Sequence, residues 1–401
     1  MNTQVEIPYG CYWSTPFAKW QGALQHLNSI EFAAAVCKGE LASRKIDPQM
    51  IDHGILGLTV AQKLSFQGLP WLTGLAGMDR VAGQTLSQVC ATGVRTLLSG
   101  VQEINSGMAE TSLIVAADRC SNGPHVYFPA PAGPGGTGSK EDIVLDNFSC
   151  DALGKHSMLQ TAENVAAKHG ISTEEQHEVV LMRQEQYQDA LADNRAFQKR
   201  YMTLPFEVPH RSFKKVGRIL DGDEGLFLST AEGLANLRPV MEGGSVTFGG
   251  QTHPADGNAA LIVATSEKAQ SISHNKAIKI EALGFGQARV DLGYMPEAPV
   301  PAAYKALENA GIGIDDLHSI KTHNPFAVND IVLSRQTGLP IERINNYGCS
   351  LIWGHPQGPT GTRSIIELIE ELVLNGGGYG LFTGCAAGDT GMAAVIRVSD
   401  R

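Results

Sequence analysis

The sequence predicts an α/β protein built from a duplicated unit with an inserted loop segment, and three observations predict it. First, the 401 residues are 43% hydrophobic and only 18% charged, against a usual charged fraction of ~25%. That describes a well-buried chain with room for two or three domains. Second, 45 residues are glycine, about 11% against an average near 7% and with no collagen-like period, so many positions need tight turns or close backbone approach. Third, two stretches far apart in the chain follow one plan of helix, glycine stop and buried strand.

In chain order, IDPQMIDHGILGLTV from Ile46 reads as an acidic turn running into a strand. From Cys90, CATGVRTLLSGVQEINSGMAETSLIVAADRCS places Val94, Leu97, Leu98, Val101 and Ile104 at helical spacing. Gly107 stands where a C-cap belongs, and SLIVAA follows as a buried strand. Residues 119–145 are rich in Gly and Pro, a long loop of the functional kind. A charged amphipathic helix then begins at a capping box, Ser172 to Glu175. Beyond FKKVGRILDGDEG, the run ADGNAALIVA reads as a core strand. The second unit repeats the first. IGIDDLHSIKTHNPF matches the acidic turn and strand. From Pro359, Ile365, Ile366, Ile369, Leu372 and Val373 make a helical apolar face, Gly376 to Gly378 end it, and YGLFTG leads to Cys385. The expected division is a first half of 1–119 plus about 245–269, an inserted loop domain of 120–244, and a second half of 270–401.

The formal net charge of −10 gives no electrostatic footprint for nucleic acid or an anionic membrane. No apolar run approaches the ~20 residues that span a bilayer, and the start lacks a basic segment followed by an apolar core. A cytoplasmic protein is expected. Seven cysteines at irregular spacings without a CxxC pair argue for free thiols over a disulfide framework or a zinc site, and no metal is expected.

Five features could carry chemistry. Cys90 lies at a strand-to-helix elbow, where a helix N-terminus favours a thiolate and a lowered pKa; a buried structural cysteine is the plain alternative. His355 sits in a Gly-His-Pro-x-Gly turn that brings backbone close to a ligand. Cys385 ends a strand before a small-residue loop whose amides could face an oxyanion. His323 and Asn324 end another strand as a buried pair or as donors to a developing charge. Lys214, Lys215 and Arg218 make a small positive site in an acidic chain, either a solvated loop or a contact for phosphates.

Taken in order, these segments resemble the thiolase family over nearly the whole chain, together with MLQTAENVAAKHGISTEEQ, LSTAEGLANLRPVMEGGSVTFGG and APVPAAYKALENAG. The resemblance implies two βαβαβαββ halves in five layers and an inserted domain that holds coenzyme A, a co-substrate rather than a resident cofactor. It implies an acylated nucleophile at Cys90, activated by His355, and a general acid/base at Cys385. One oxyanion would face His355 Nε2 and His323 with Asn324. The other would face the backbone N–H groups of Cys90 and Ala387, each donor commonly worth ~3 kcal/mol. Thr252 and Phe326 are expected to join the basic residues in holding CoA, and a homodimer or dimer of dimers is expected.

Departures concern the substrate. His323-Asn324-Pro325-Phe326 replaces the family's Asn-Glu-Ala-Phe and resembles its His-Asp-Cys-Phe subgroup. Asp389 stands in a loop usually made of glycine, the segment holding His156 is short, and His253 and Trp353 occupy positions usually small or aliphatic. These imply a branched, aromatic or carboxylated 3-oxoacyl-CoA. With the opening IPYGCYWSTPFAKWQG they are similar to thiolases of anaerobic aromatic degradation, such as those cleaving benzoylsuccinyl-CoA, which pair with a small zinc-ribbon/OB-fold subunit. A ketoacyl-synthase-like condensing enzyme and a non-catalytic acyl-CoA-binding subunit are the competing readings.

Overall fold

The computed structural model describes residues 5–401; residues 1–4 of the expected first half lie outside it. The chain opens with strands β1 (Val5–Glu6), β2 (Tyr12–Ser14) and β3 (Ala18–Lys19). Helix α1 (Ser29–Ser43), β4 (His53–Gly57), α2 (Leu69–Leu75), β5 (Ala82–Leu86), α3 (Thr92–Asn105) and β6 (Thr111–Arg119) follow. The middle segment holds the hairpin β7 (His125–Phe128) and β8 (Ser139–Asp142), then α4 (Leu145–Ser149), α5 (Met158–His169) and α6 (Thr173–Arg195). A second hairpin, β9 (Phe206–Pro209) and β10 (Val216–Leu220), leads to α7 (Ala231–Ala235). The chain then runs through β11 (Ala255–Thr265), α8 (Ser266–Ile272), β12 (Ile278–Arg289), α9 (Pro299–Ala310), β13 (Leu317–His323) and α10 (Ala327–Thr337). It finishes with α11 (Ser350–Trp353), α12 (Gly358–Leu374), β14 (Gly378–Ala386) and β15 (Thr390–Asp400).

The duplication is visible in the pairing. β4 runs parallel to β6, and β6 pairs antiparallel with β11 from Thr111 opposite Ala264 to Arg119 opposite Asp256. Likewise β13 runs parallel to β14, and β14 pairs antiparallel with β15. Each β4-type strand is entered through a short 3-10 turn, Pro48–Met50 in one half and Ile314–Asp316 in the other. The two half-sheets join through β1, which pairs with both β11 and β12 and places Glu6 opposite Glu281. Like charges there would repel, but Arg401 pairs with Glu6 and Arg397 with Glu281.

Five layers result. Helices α1 and α2 cover one side of the first half-sheet, α3 and α12 fill the space between the half-sheets, and α9 covers the far side of the second. The sequence assigns α12 a single apolar face, yet the structure buries every residue from Gly358 to Leu372. A helix buried all round must satisfy its polar side chains. Arg363 forks onto Asp223 at 2.6 and 2.8 Å, and its Nε donates to Glu367 at 3.0 Å. The hydroxyls of Tyr201 and Tyr12 donate to Glu367 and Glu370 at 2.7 and 2.6 Å.

Helices α3 and α12 touch at glycine. A Cβ on Gly93 would lie 2.5 Å from the Thr362 backbone nitrogen and 2.6 Å from the Gly358 carbonyl, so only glycine permits this approach. The contact sets the N-termini of the two helices side by side. At α6, Ser172 Oγ accepts the Glu175 N–H at 3.2 Å, as the capping box requires. The reciprocal half is not made, because the Glu175 carboxylate pairs with Arg335 at 2.6 Å.

Candidate active site

The crossing of α3 and α12 places Cys90, one residue before the Ala91 cap of α3, beside the loop that enters α12. Val89, β-branched, is held at φ +49°, a conformation such residues rarely adopt. The Thr92 hydroxyl secures it, donating to the Val89 carbonyl at 2.6 Å while accepting the Gln88 N–H at 2.8 Å. On the other side, Asp118 accepts the Gly358 N–H at 3.0 Å. That pins Gln357, whose Oε1 accepts the Cys90 thiol proton at 3.3 Å. The burial of Asp118 raises its pKa to about 7 despite the N–H groups it accepts.

A cavity of about 770 Å³ opens over this point and is lined by Cys90, His323, His355, Cys385 and Ala387. The ligand atoms of Cys90, His323 and His355 all lie within 4.8 Å of one another. The two imidazoles stack with ring centroids 4.0 Å apart at 25°. Both are buried, and neither Nε2 has a hydrogen-bond partner. Cys385 enters from the end of β14, its sulfur accepting the Asn329 side-chain N–H at 3.3 Å. The Ala387 backbone N–H points to the Cys90 sulfur. The structure thus brings together Cys90, His323, His355, Cys385 and Ala387, drawn from four separate motifs of the sequence.

Electrostatics correct one expectation. The helix N-terminus was to lower the Cys90 pKa, but burial dominates and pushes the thiol up to about 12, with the Ala387 N–H acting weakly in the other direction. Burial raises Cys385 as well. The imidazoles are held neutral: burial takes His323 down to about 3 and His355 well below its ordinary range. The resting site is therefore a neutral thiol facing neutral bases.

A second correction concerns Asn324, which does not face the cavity. Its Nδ2 donates to Asp330 at 2.7 Å and to Cys349 Sγ at 3.2 Å, and its backbone N–H donates to Ser350 Oγ at 3.2 Å. Its Oδ1 accepts the Ser350 hydroxyl at 3.1 Å and the Leu351 N–H at 3.3 Å. No donor is left for an oxyanion. The same network sets His323. Because Ser350 spends its one proton on Asn324, the 2.9 Å contact to His323 Nδ1 makes that nitrogen the donor. His323 Nε2 then meets the cavity as an acceptor and donates only after taking a proton. His355 Nδ1 contacts the Thr360 hydroxyl at 2.7 Å, which can donate or accept, so either tautomer is open.

Thr252 and Phe326 line the cavity, and Thr252 is fixed by its N–H to the Pro325 carbonyl at 2.7 Å. Lys214, Lys215 and Arg218 do not line it. They lie in and beside the β9–β10 hairpin, where Arg218 is 3.5 Å from Glu224. Trp353 is buried away from the cavity, edge-on to Phe17 and beneath Arg363, so it does not shape a substrate pocket. His156 faces Asp389 at 3.7 Å and is likewise outside the lining. His253 does line it, edge-on to Phe227. Phe227 and Phe248, 72% and 71% exposed, line the cavity too and were not singled out in the sequence. An aromatic residue within a glycine- and leucine-rich loop carries no periodic signal.

Fold and site together fit the acyltransferase class, with two cysteines and two imidazoles gathered on one cavity. Residues 13–267 match the thiolase N-terminal domain and residues 276–398 the thiolase C-terminal domain. The chain belongs to the thiolase family. It is 30% identical over 383 residues to an acetyl-CoA acetyltransferase of Allochromatium vinosum, covering 94% of this chain and 95% of that one. It is 28% identical over 390 residues to the mitochondrial 3-ketoacyl-CoA thiolase of Homo sapiens, covering 96% of each. The crystal structure of human mitochondrial 3-ketoacyl-CoA thiolase superposes with a TM-score of 0.89 at 27% identity over 99% of this chain and 100% of that one. The same human enzyme in complex with CoA superposes at 0.86, with 27% identity and 98% of each chain covered. Among the described residues, no helix is long and apolar enough to cross a membrane.

Proposed function

We propose that the protein cleaves a 3-oxoacyl-CoA with coenzyme A, or runs the reverse condensation, by ping-pong chemistry through an acyl-Cys90. The observation that carries this reading is the convergence of two cysteines and two neutral imidazoles on one cavity. The Cys90 thiol leaves Gln357 and transfers its proton to His355 as its sulfur attacks the 3-oxo carbon. The imidazolium so formed becomes a donor to the thioester oxygen. The bond between C2 and C3 then breaks, and Cys385 gives its proton to C2 of the departing acyl-CoA. The CoA thiol, its proton passing to the Cys385 thiolate, finally takes the acyl group from Cys90, which leaves as a thiolate and recovers its proton from the His355 imidazolium. The Cys90 and Ala387 N–H groups serve the tetrahedral oxyanion.

The second cysteine at the cavity favours thiolysis over a ketoacyl-synthase-like condensation. Of the three substrate classes, an aromatic or branched acyl group suits the lining best: Phe148, Met158, Leu159, Val180, Met295 and Ile352 contribute, and no Lys or Arg does. A free carboxylate would meet no fixed cation there. Residues 120–244 supply much of one wall, including Phe148, Val180 and Phe227, which supports an inserted domain that holds CoA. Glu224, the partner of Arg218, stands three residues before the cavity-lining Phe227, which supports the hairpin as a contact for the phosphates of CoA. Strand β5 pairs only with β4 and leaves four of its five residues exposed; this open edge suits pairing with a second copy. We carry a cytoplasmic homodimer and an accessory zinc-ribbon/OB-fold subunit as parts of the same proposal.

The test is a panel of 3-oxoacyl-CoAs, with aryl, branched and dicarboxylic members including benzoylsuccinyl-CoA, read by thiolysis and by mass spectrometry of the Cys90 peptide. Acyl-Cys90 should accumulate with the preferred substrate when CoA is withheld, and Cys90→Ser should abolish both cleavage and CoA exchange. An active Cys90→Ser enzyme would sink the mechanism. No turnover across the panel, with Cys90 unlabelled by iodoacetamide, would favour a non-catalytic acyl-CoA-binding protein.

A further inference from the structure

The cavity floor has a second chemical capacity that acyl transfer does not use. Three soft or borderline donors, Cys90 Sγ and one nitrogen each of His323 and His355, lie within 4.8 Å of one another with no carboxylate among them. Both imidazoles are nearly sealed from solvent, at 1% and 5% exposure, and both Nε2 atoms lack any hydrogen-bond partner. Each ring is anchored at its other nitrogen, His323 on Ser350 Oγ at 2.9 Å and His355 on Thr360 Oγ1 at 2.7 Å. Metal-binding histidines are held in this way, with the far nitrogen bonded to a neighbour that fixes tautomer and ring orientation. For His323 the fixing is complete, because Ser350 gives its proton to Asn324 at 3.1 Å and leaves Nδ1 the donor.

We propose that Cys90, His323 and His355 form a three-ligand site for a soft divalent cation of the Zn²⁺ class, whose occupancy withdraws the nucleophile. One thiolate and two neutral imidazoles suit Zn²⁺ or Co²⁺, whereas Mg²⁺ and Ca²⁺ take oxygen ligands that this set lacks. Bonds of ~2.3 Å to sulfur and ~2.0 Å to nitrogen put tetrahedral ligand atoms ~3.5 Å apart, so the triad must close by about 1 Å. The Cys90 sulfur, held by Gln357 Oε1 and the Ala387 N–H, closes by turning about its Cα–Cβ bond, and the two imidazoles, stacked at 25°, splay about their Nδ1 anchors. On binding, the metal–sulfur bond forms, the thiol proton leaves to the buffer, and no oxidation state changes. The fourth position opens on the cavity, where water or a ligand thiol completes the shell. The inference is independent of which substrate the enzyme takes.

Titration with Co²⁺ as the probe tests the site without any measurement of turnover. Cys150 is the one exposed cysteine among the described residues, so Cys150→Ser removes the competing surface thiol. This protein should bind one Co²⁺ per chain with a thiolate-to-cobalt charge-transfer band that disappears in Cys90→Ser. His323→Gln and His355→Gln should each weaken binding at least ~10-fold, and Ser350→Ala, which removes only the partner of Nδ1, by ~10–100-fold. Absence of the band, its survival in Cys90→Ser, or parental affinity in either histidine variant overturns the proposal. Should a variant fail to fold, the parent protein still decides. Zn²⁺ should block alkylation of Cys90 by iodoacetamide, read by mass spectrometry, and EDTA should restore it; undiminished alkylation at saturating Zn²⁺ refutes the site.

Discussion

Replacing Gly93 with alanine should separate the two helices that build the active site. The added Cβ would stand 2.5 Å from the Thr362 nitrogen and 2.6 Å from the Gly358 carbonyl, whereas ordinary contact begins at 3.4 Å. Both obstacles are backbone, so no side chain can swing aside, and α3 must move from α12 by about 1 Å. Cys90 precedes α3 and His355 precedes α12, so the separation falls on the reacting pair. A misplacement of ~1 Å costs on the order of 100-fold in rate, and overpacking of this kind costs ~1–3 kcal/mol of stability. Apart from Cys90, no residue of this elbow lines the cavity, so kcat should fall while KM holds. Steady-state thiolysis and thermal unfolding supply the readouts. Gly361→Ala is the control, since its Cβ meets the Val94 side chain at 3.3 Å and a few tenths of an ångström relieve it. A Gly93→Ala enzyme with parental kcat, or one no worse than Gly361→Ala, would refute the argument.

The remaining expectations concern charge. With the Cys90 thiol held at about 12, its alkylation in the free enzyme should quicken roughly tenfold per pH unit from pH 6 to 9; a plateau above pH 7 would mean the thiolate is already formed. His323 is depressed from 6.5 to about 3, so its neutral form stabilises the fold fully above pH 6.5 and loses that contribution as pH falls toward 3. One such proton is worth up to about 1.4 kcal/mol per pH unit, and His323→Gln should show a visibly shallower decline of melting temperature between pH 6.5 and 4; parallel curves would contradict this. A Lys214→Glu, Lys215→Glu double variant should raise KM for CoA at low salt but leave an N-acetylcysteamine thiol, which lacks phosphates, unaffected. Equal effects on the two thiols would remove the hairpin from the CoA site.

Much of the architecture was legible because it is local. Val94 to Ile104 declare α3 by their spacing, Gly107 ends it at φ +76°, and the same plan recurs at α12 and β14. What stayed hidden depends on residues far apart in the chain. β1 is two residues long and has no period, yet it joins the halves. Nothing local marks the glutamates of α12 as buried, because their partners, Tyr12 and Tyr201, lie hundreds of positions away or in the insertion. At the site, the motifs of Cys90, His355 and Cys385 single out three side chains that line one cavity. The bond from Cys90 to Gln357 and the Ser350–Asn324–His323 relay were not, since each depends on which way a single proton points. The helix-dipole argument for Cys90 failed for a related reason. A dipole at a helix end is local and visible in sequence, whereas the burial that outweighs it is a property of the assembled cavity.

The buried charges of α12 bear on whether this duplicated protein can be taken apart. Its two family-matched portions meet near residues 267–276, which invites expression as two polypeptides. Yet Glu370 is satisfied by Tyr12 and Arg200, Glu367 by Tyr201, and Arg363 by Asp223, all from the first portion. A second portion made alone would keep Arg363 and Lys321 on Glu367 but expose Glu370 without Arg200 and Arg363 without Asp223, and the first would retain Asp223 without its guanidinium. Gene duplication here has produced symmetry without modularity: co-expressed fragments should recover activity by reassembly, and neither should persist as a soluble species by itself.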